Sequence, residues 1–228
     1  PFEAIVTQTE YKNLSFIPGD VLVAGTPNIT YSQKKSLINH LEKMEADYVL
    51  LDLGSGASNN VVDFFLISNS GLVVSSPHVS SILNAYSFLK NATYRFLSRA
   101  FAKDKVVARY IRTQIRERRP GQPMLISKLI EGMMEVDRAQ AGRARKFVDL
   151  LQPSLVLNMV RGTDDVHIAE SLRELVAKNL DVSLQSLGAV MFEPGLAKVH
   201  RTTQPTLTSH PDSLMASQID RLAQKIVQ

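Results

Sequence analysis

ADYVLLDLGSG, residues 46–56, is the stretch of sequence that decides the fold prediction. Its unbroken apolar run, Tyr48–Leu51, ends at an acidic residue, Asp52. Unbroken apolar runs are typical of the strands of a parallel sheet that is covered on both faces. Such sheets bind ligands outside the carboxyl ends of their strands. The stretch therefore predicts a buried parallel strand that places Asp52 at a ligand-binding edge.

The residues at the end of this strand indicate a chemistry for that edge. Asp52 would hold a Mg²⁺ ion through water, and Gly54 and Gly56 would let the backbone approach a γ-phosphate and rearrange when the phosphate is lost. A simpler interpretation stays open, in which a loop follows the strand and Asp52 caps the next helix. The phospho-acceptor strand of a receiver domain is not supported, because the upstream acidic residues Glu10 and Asp20 are not adjacent.

The alternation of apolar strands and amphipathic helices continues along the chain. We expect strands at residues 14–18, 71–76, 154–160 and 184–192. We expect helices at residues 30–44 (beginning at Thr30 or Ser32), 61–67, 79–101, 164–179 and 213–227. This order predicts a single α/β domain, residues 1–228, with a mostly parallel sheet and helices on both faces. Residues 102–150 break the alternation, and we interpret them as a basic helical insertion that is interrupted at 120–123.

The composition excludes several classes of protein. The chain has 228 residues and no cysteine, which excludes disulfides, thiolate nucleophiles and cysteine metal sites. No apolar run reaches the ~18 residues of a membrane span, and we expect no secretory signal, because residues 1–10 show neither a charged nor an apolar signal region. We expect a cytoplasmic protein without a transmembrane segment and, because the sequence begins with proline, a piece of a longer protein. The histidines lack metal-ligand spacing and no Gly-x-Ser-x-Gly elbow follows a strand, so histidine metal sites and serine hydrolases are not supported.

Positive charge is concentrated in residues 90–119, which include ten basic and two acidic residues. This segment carries a net charge of +8, and the rest of the chain carries −4. Several of the basic residues recur at helical spacing and would face an acidic partner, the phosphates of a nucleic acid or an anionic membrane surface. A solvated helix face explains the same pattern. The aromatic residues of the segment are expected to pack inward.

Two adjacent stretches resemble a known family. LLDLGSG at 50–56 and VVDFFLISNSGLVVSSPHVSSILNAYSFLK at 61–90 are similar to the Walker B and switch II stretch of MinD/ParA-type P-loop ATPases. The positions of the family's motif are taken by Asp52, Gly54, Gly56, Pro77 and Ser81. The resemblance covers residues 14–90 and 154–227 and implies a Rossmann-like P-loop NTPase fold.

Two later stretches resemble the adenine-binding parts of the same family. SLVLNMVRG at 154–162 is similar to the strand whose terminal asparagine reads adenine, which implies that role for Asn158, with Arg161 close behind. LGAVMFEPGLAKVHRTTQPTLTSHPDS at 187–213 is similar to the last strand and the loop that covers the base. The resemblance implies that Phe192, Glu193 and Pro194 lie along the adenine and the ribose.

The family's P-loop has no counterpart in this sequence. That Gly-rich loop cradles the phosphates of ATP and helps to bind Mg²⁺, yet no Gly-Lys-Thr or Gly-Lys-Ser occurs here. We therefore expect either a truncated protein or a degenerate homologue. We expect this chain alone to hold no cofactor and to hydrolyse no ATP, because phosphoryl transfer depends on positioned phosphates and metal. A sheet that lacks the P-loop strand beside residues 50–53 should also have an exposed edge.

The resemblance implies a function for the parent protein. It would be an ATP-dependent molecular switch that binds ATP and Mg²⁺, forms a homodimer, and positions or partitions cellular cargo. The alternatives are a non-catalytic interaction module on the same fold, which binds an acidic partner through basic helices, and a nucleic-acid-binding regulator. The C-terminal helix is expected to dock on the domain rather than on a membrane, through the stripe Met215, Ile219, Leu222 and Ile226.

Overall fold

The computed structural model describes residues 2–19, 29–68, 70–117, 125–196 and 205–227. The chain divides into two compact units, Pro1–Ile67 and Ser68–Gln228. The first unit contains a 3-10 turn (Phe2–Ile5), β1 (Thr7–Gln8), β2 (Ser15–Phe16), α1 (Tyr31–Leu41) and α2 (Asn59–Phe65). The strands of the second unit are β3 (Leu72–Ser75), β4 (Ser154–Val160) and β5 (Gln185–Met191). Its helices are α3 (Val79–Ala100), α4 (Lys105–Arg116), α5 (Ile126–Val136), α6 (Arg138–Leu150), α7 (Thr163–Leu180), α8 (Thr206–Ser209) and α9 (Leu214–Val227).

β2 lies within the predicted strand at residues 14–18, but it is exposed and pairs antiparallel with β1, so the prediction that this strand is buried in a parallel sheet is wrong. The Leu14 N–H donates to the Tyr11 carbonyl at 3.2 Å, and this turn folds β2 back onto β1. Phe16 is 58% exposed. Antiparallel pairing needs only a tight turn, whereas a parallel partner needs a long crossover, so the pairing between sequence neighbours forms here.

α1 begins where the sequence predicts. Thr30 Oγ1 accepts a hydrogen bond from the Gln33 N–H at 3.3 Å, and Gln33 Oε1 accepts one from the Thr30 N–H at 2.9 Å. This capping box satisfies two backbone donors at the start of the helix. On α1, the Lys34 ammonium forms a buried ion pair with the Asp63 carboxylate of α2 and donates to Asn60 Oδ1 at 3.1 Å. These contacts join α1 to α2.

Residues 48–53 form no strand, so the prediction of a buried strand that ends at Asp52 is wrong. Tyr48 is 56% exposed and Leu50 is 88% exposed. A parallel strand is stabilised by hydrogen bonds to its neighbours and by helices that cover both faces. In the described residues of the first unit, no strand pairs with this run. Val49 is accordingly exposed as well, whereas Leu51 and Leu53 are partly buried.

The second unit confirms the coarser fold prediction, an α/β arrangement with a parallel sheet flanked by helices. The sheet has the order β3-β4-β5, with both pairings parallel. The observed strands lie within the predicted ranges 71–76, 154–160 and 184–192. Successive side chains of β4 point to opposite faces, and Leu155, Val156 and Leu157 are all buried, so both faces of this central strand are covered.

α9 docks on the sheet, as predicted. Met215, Ile219 and Leu222 pack against Val156 of β4 and Val190 of β5. The predicted stripe ends there, because Ile226, one turn beyond Leu222, is half exposed. In the described part of the chain, no helix has an apolar stretch long enough to cross a membrane.

α4, α5 and α6 occupy the region that the sequence predicts to be a helical insertion. The predicted interruption at residues 120–123 lies outside the described residues. The aromatic side chains of the basic segment pack inward as expected: Tyr94 and Phe101 are buried, and Phe101 meets Phe147 of α6 edge-on, with ring centroids 5.7 Å apart. The α4 side chains Val107 and Ile111 are fully buried.

α4 packs on α5 through a close approach at Gly132. The Tyr110 hydroxyl donates to the Leu129 carbonyl at 3.2 Å and lies directly over Gly132. A Cβ atom at Gly132 would overlap that hydroxyl. Burial raises the pKa of Tyr110 above its usual value, and the Glu135 carboxylate adds to this effect.

We expect Gly132→Ala to lower the free energy of unfolding by roughly 1–3 kcal/mol relative to Gly142→Ala, because overpacking a close contact costs about that much and both substitutions share the gain in helix propensity. The measurement is urea unfolding followed by the fluorescence of the tyrosines. Gly142→Ala is the matched control, because Gly142 is an exposed glycine of α6 with no atom within 4 Å of the position that a Cβ atom would occupy. The control should raise stability by about 0.5–1 kcal/mol through helix propensity. Equal effects of the two substitutions would contradict the close approach.

Candidate functional site

The end of β4 carries a bulge that presents Asn158. Met159 adopts a left-handed backbone conformation (φ 63°), and the register with β5 shifts between Asn158 and Val160. Asn158 Oδ1 accepts a hydrogen bond from the Met159 N–H at 2.8 Å and stabilises this turn. The Asn158 side chain is exposed, and its amide nitrogen has no hydrogen-bond partner among the described residues. Bulges often re-aim a side chain near a functional site, and this one leaves an amide donor available to a ligand.

The structure brings together two other predicted residues, Arg161 and Phe192. The Arg161 guanidinium lies over the Phe192 ring, with Cζ 4.7 Å from the ring centroid, a cation–π contact. The Phe192 N–H donates to the Val160 carbonyl at 2.7 Å, which extends the pairing of β4 and β5 by one residue. The Arg161 N–H donates to the Asp165 carboxylate at 2.7 Å, in the first turn of α7. Backbone hydrogen bonds therefore fix the position of Phe192 beside β4 and the position of Arg161 beside α7.

Glu193 and Pro194 follow Phe192 directly. Glu193 Oε2 accepts a hydrogen bond from the Met215 N–H at 3.3 Å, at the beginning of α9. A carboxylate at the N-terminus of a helix is favourable, because the backbone donors there lack partners within the helix. Glu193 thus connects the end of β5 to α9, a structural role that the sequence does not indicate. Pro194 is exposed beside it.

A cleft of about 440 Å³ opens beside Glu193. It is lined by Glu193, Gly195, Leu196, Ser209, His210, Pro211, Asp212 and Ser213. The sequence places 209–213 in a loop that covers a base, without naming these residues as site residues. Their signal is the turn-forming run Ser-His-Pro-Asp-Ser, since such residues favour exposed turns with free polar groups. Residues 197–204 of the same predicted loop lie outside the described part of the chain.

The remaining predicted site residues, Asp52, Gly54 and Gly56, belong to the first unit. Asp52 is exposed and has no hydrogen bond or ion pair within the described residues. Gly56 has φ 112°, a conformation that side-chain-bearing residues rarely adopt, so glycine is needed there. Ser58, and not Asp52, caps α2: Ser58 Oγ accepts from the Val61 N–H at 3.4 Å. The open interpretation of Asp52 as a helix cap is therefore wrong.

The groups at the carboxyl ends of β4 and β5 suit a planar ligand with hydrogen-bonding edges. Asn158 offers an amide donor, and Arg161 and Phe192 offer a cation and an aromatic ring. The cleft is lined by none of these three residues and begins at Glu193, the residue after Phe192. Within the described ranges, no group of three or more His, Asp or Glu side chains is arranged to hold a metal ion. Comparison with models of known protein families gives no match, and comparison with curated proteins gives none either.

Proposed function

We propose that this chain is the C-terminal part of a MinD/ParA-type ATPase, an ATP-dependent molecular switch. The parent protein would bind ATP with Mg²⁺, dimerise around it, and release a partner after hydrolysis. The parent protein would position or partition cellular cargo. The chain by itself would supply the base-binding part of the site and part of the switch region, and would not hydrolyse ATP.

The observation that carries the proposal is the arrangement of Asn158, Arg161 and Phe192 at the carboxyl ends of two adjacent parallel strands. Parallel α/β sheets bind nucleotides at this edge. The family resemblance assigns adenine recognition to Asn158, whose amide nitrogen is available among the described residues. The Arg161–Phe192 pair would lie along the base, and the cleft beside Glu193 would take the ribose side.

The free edge of the sheet supports the same proposal. β3 is an edge strand of the described sheet, and Val74 of β3 is 59% exposed although it pairs with the buried Val156. Natural edge strands are usually protected by charged residues or proline, and residues 70–76 contain neither. A P-loop strand of the parent protein would pair with this edge.

The residues present fit the base end of ATP and not its phosphate end. ATP supplies the phosphoryl group, and the P-loop and Mg²⁺ would hold it. In the parent protein Asp52 would bind the Mg²⁺ ion through water, and Gly54 and Gly56 would let the switch backbone move when the γ-phosphate leaves. Neither role is available without the phosphate-binding loop.

Calorimetry with Mg-ATP tests the proposal directly. We expect no binding heat from the 228-residue chain and saturable binding from a version extended upstream to include the proposed P-loop. In the extended protein, Asn158→Ala should weaken binding about tenfold, because a lost hydrogen bond costs about 1–1.5 kcal/mol. Asn91→Ala, on the exposed side of α3, is the matched control and should leave the affinity unchanged. If the extended protein does not bind Mg-ATP, the proposal fails.

A further inference from the structure

The solvent-facing side of α4 carries four cations in a row, the α4 ridge: Lys105, Arg109, Arg112 and Arg116. All four side chains are exposed. At 3.6 residues per turn their spacing places them within an arc of about 60°, along about 16 Å of helix. Val107 and Ile111, on the opposite side of α4, are fully buried. The helix thus presents one continuous row of positive charge to the solvent.

Nothing in the described part of the chain neutralises the α4 ridge. None of its four residues forms an ion pair with a described residue. Two carboxylates adjoin the ridge in sequence. Asp104 is occupied as the N-cap of α4, where Oδ1 accepts from the N–H groups of Val106 and Val107 at 3.1 and 3.0 Å. Glu117, which follows Arg116, is exposed and forms no ion pair with a described residue. Four like charges held this close repel one another, and an anionic partner would relieve that repulsion.

α4 is a rigid support for this row. Its buried side is anchored by Val107 and Ile111 and by the contact of Tyr110 with Leu129 and Gly132 on α5. A row held in place before binding loses less conformational entropy when a partner arrives. The same anchoring argues against insertion into a bilayer, because an interfacial helix inserts its apolar face and that of α4 is already buried.

Two exposed apolar residues on α4 distinguish between the two remaining kinds of partner, a nucleic acid and an acidic protein. Val106 is 62% exposed and stands one turn before Arg109, and Ile115 is 40% exposed and stands one turn after Arg112. They lie on opposite flanks of the ridge. Arginine is enriched at protein interfaces, where anchor residues are surrounded by contacts that exclude water, and exposed aliphatic side chains beside the arginines can provide such contacts. Contacts to nucleic acid phosphates come from charged and polar groups, so the apolar flanks favour a protein partner over a phosphate backbone.

We propose that the α4 ridge binds an acidic helical segment of a protein partner. The four cations of the ridge stand at positions i, i+4, i+7 and i+11. The intervals of four, three and four residues are the same from either end of the helix. A partner helix with carboxylates at that spacing would meet all four cations in either orientation. Apolar side chains beside those carboxylates would contact Val106 and Ile115. This inference does not depend on nucleotide binding.

The test uses the full 228-residue chain and two labelled peptides of identical composition. In the first, an alanine-based helix carries glutamates at i, i+4, i+7 and i+11 with a leucine on each flank. In the second, the glutamates are distributed around the helix. Fluorescence anisotropy at 150 mM salt should show the patterned peptide binding at least about tenfold more tightly than the scrambled one.

Variants then locate the binding surface. Arg109→Gln with Arg112→Gln should weaken binding of the patterned peptide about tenfold, and Val106→Ser about threefold. Lys178→Gln with Arg221→Gln removes the same charge from exposed positions of α7 and α9 and should change affinity less than twofold. Circular dichroism of each variant checks that the helices are retained.

Three results would overturn the proposal. Equal binding of the two peptides would show that the ridge attracts acidic peptides only through its net charge and does not recognise the spacing of their carboxylates. Tighter binding of a 20-base-pair DNA duplex or of phosphatidylserine vesicles, lost in the Arg109/Arg112 variant, would assign the ridge to phosphates. Absence of binding to all of these probes would leave it a solvated face.

Discussion

Asp63→Ala should destabilise the first unit by about 3–5 kcal/mol, since removing one partner of a buried ion pair leaves the other charge buried and unpaired. Lys34 and Asp63 are both buried, and the pair joins α1 to α2. After the substitution, the Lys34 ammonium retains only one hydrogen-bond acceptor among the described residues, the side-chain Oδ1 of Asn60 at 3.1 Å. The measurement is hydrogen exchange of the α1 and α2 amides, whose opening free energy should fall while that of α7 stays unchanged.

Two further variants separate the ion pair from simpler effects. Lys35→Met removes a lysine charge of the kind that Lys34 carries, but from the exposed neighbouring position of α1, and should change the opening free energy by less than about 0.5 kcal/mol. Lys34→Met combined with Asp63→Leu should restore most of the stability, because a well-packed apolar pair often replaces a buried ion pair without loss. If Asp63→Ala costs no more than Lys35→Met, the pair does not hold the two helices together.

Asp52→Ala should reduce Mg²⁺-dependent ATP hydrolysis by at least about 100-fold in the parent protein extended to include its proposed P-loop, the usual cost of losing one electrostatic group that stabilises the transition state. The effect rests on the proposed function, in which Asp52 binds Mg²⁺ through water. The measurement is phosphate release at saturating ATP. Binding of ATP without Mg²⁺ should change little, since the base contacts are intact.

Asp47→Ala is the matched control for this experiment. Asp47 is an exposed aspartate five residues earlier in the same segment, and its loss should leave hydrolysis unchanged. Hydrolysis that survives Asp52→Ala would remove Asp52 from the metal site, even if the extended protein binds Mg-ATP. Calorimetry and hydrolysis therefore test the proposed function and the role of this residue separately.

The sequence by itself determined the elements whose stabilising contacts are local or repeat with the period of the element. β4 matches the predicted 154–160, and the helices α3, α7 and α9 lie where their apolar periodicity indicates. Thr30, one of the two predicted caps of α1, is its N-cap, and the predicted docking stripe of α9 is confirmed as far as Leu222. A short stretch of sequence is enough to predict a helix, because its hydrogen bonds join residues four apart. Its apolar face recurs every three or four residues.

Tertiary structure decided the elements that depend on distant partners. Residues 48–53 carry a strand pattern, yet no strand pairs with them in the described first unit, because the backbone groups of a strand need neighbours that its own sequence cannot provide. The ion pair of Lys34 with Asp63 joins residues 29 positions apart. The stacking of Arg161 on Phe192, and the capping of α9 by Glu193, likewise need β4, β5 and α9 in place. Sequence patterns identify which residues can pair, whereas the folded chain selects the pairs, because only there do the distances between separate elements become fixed.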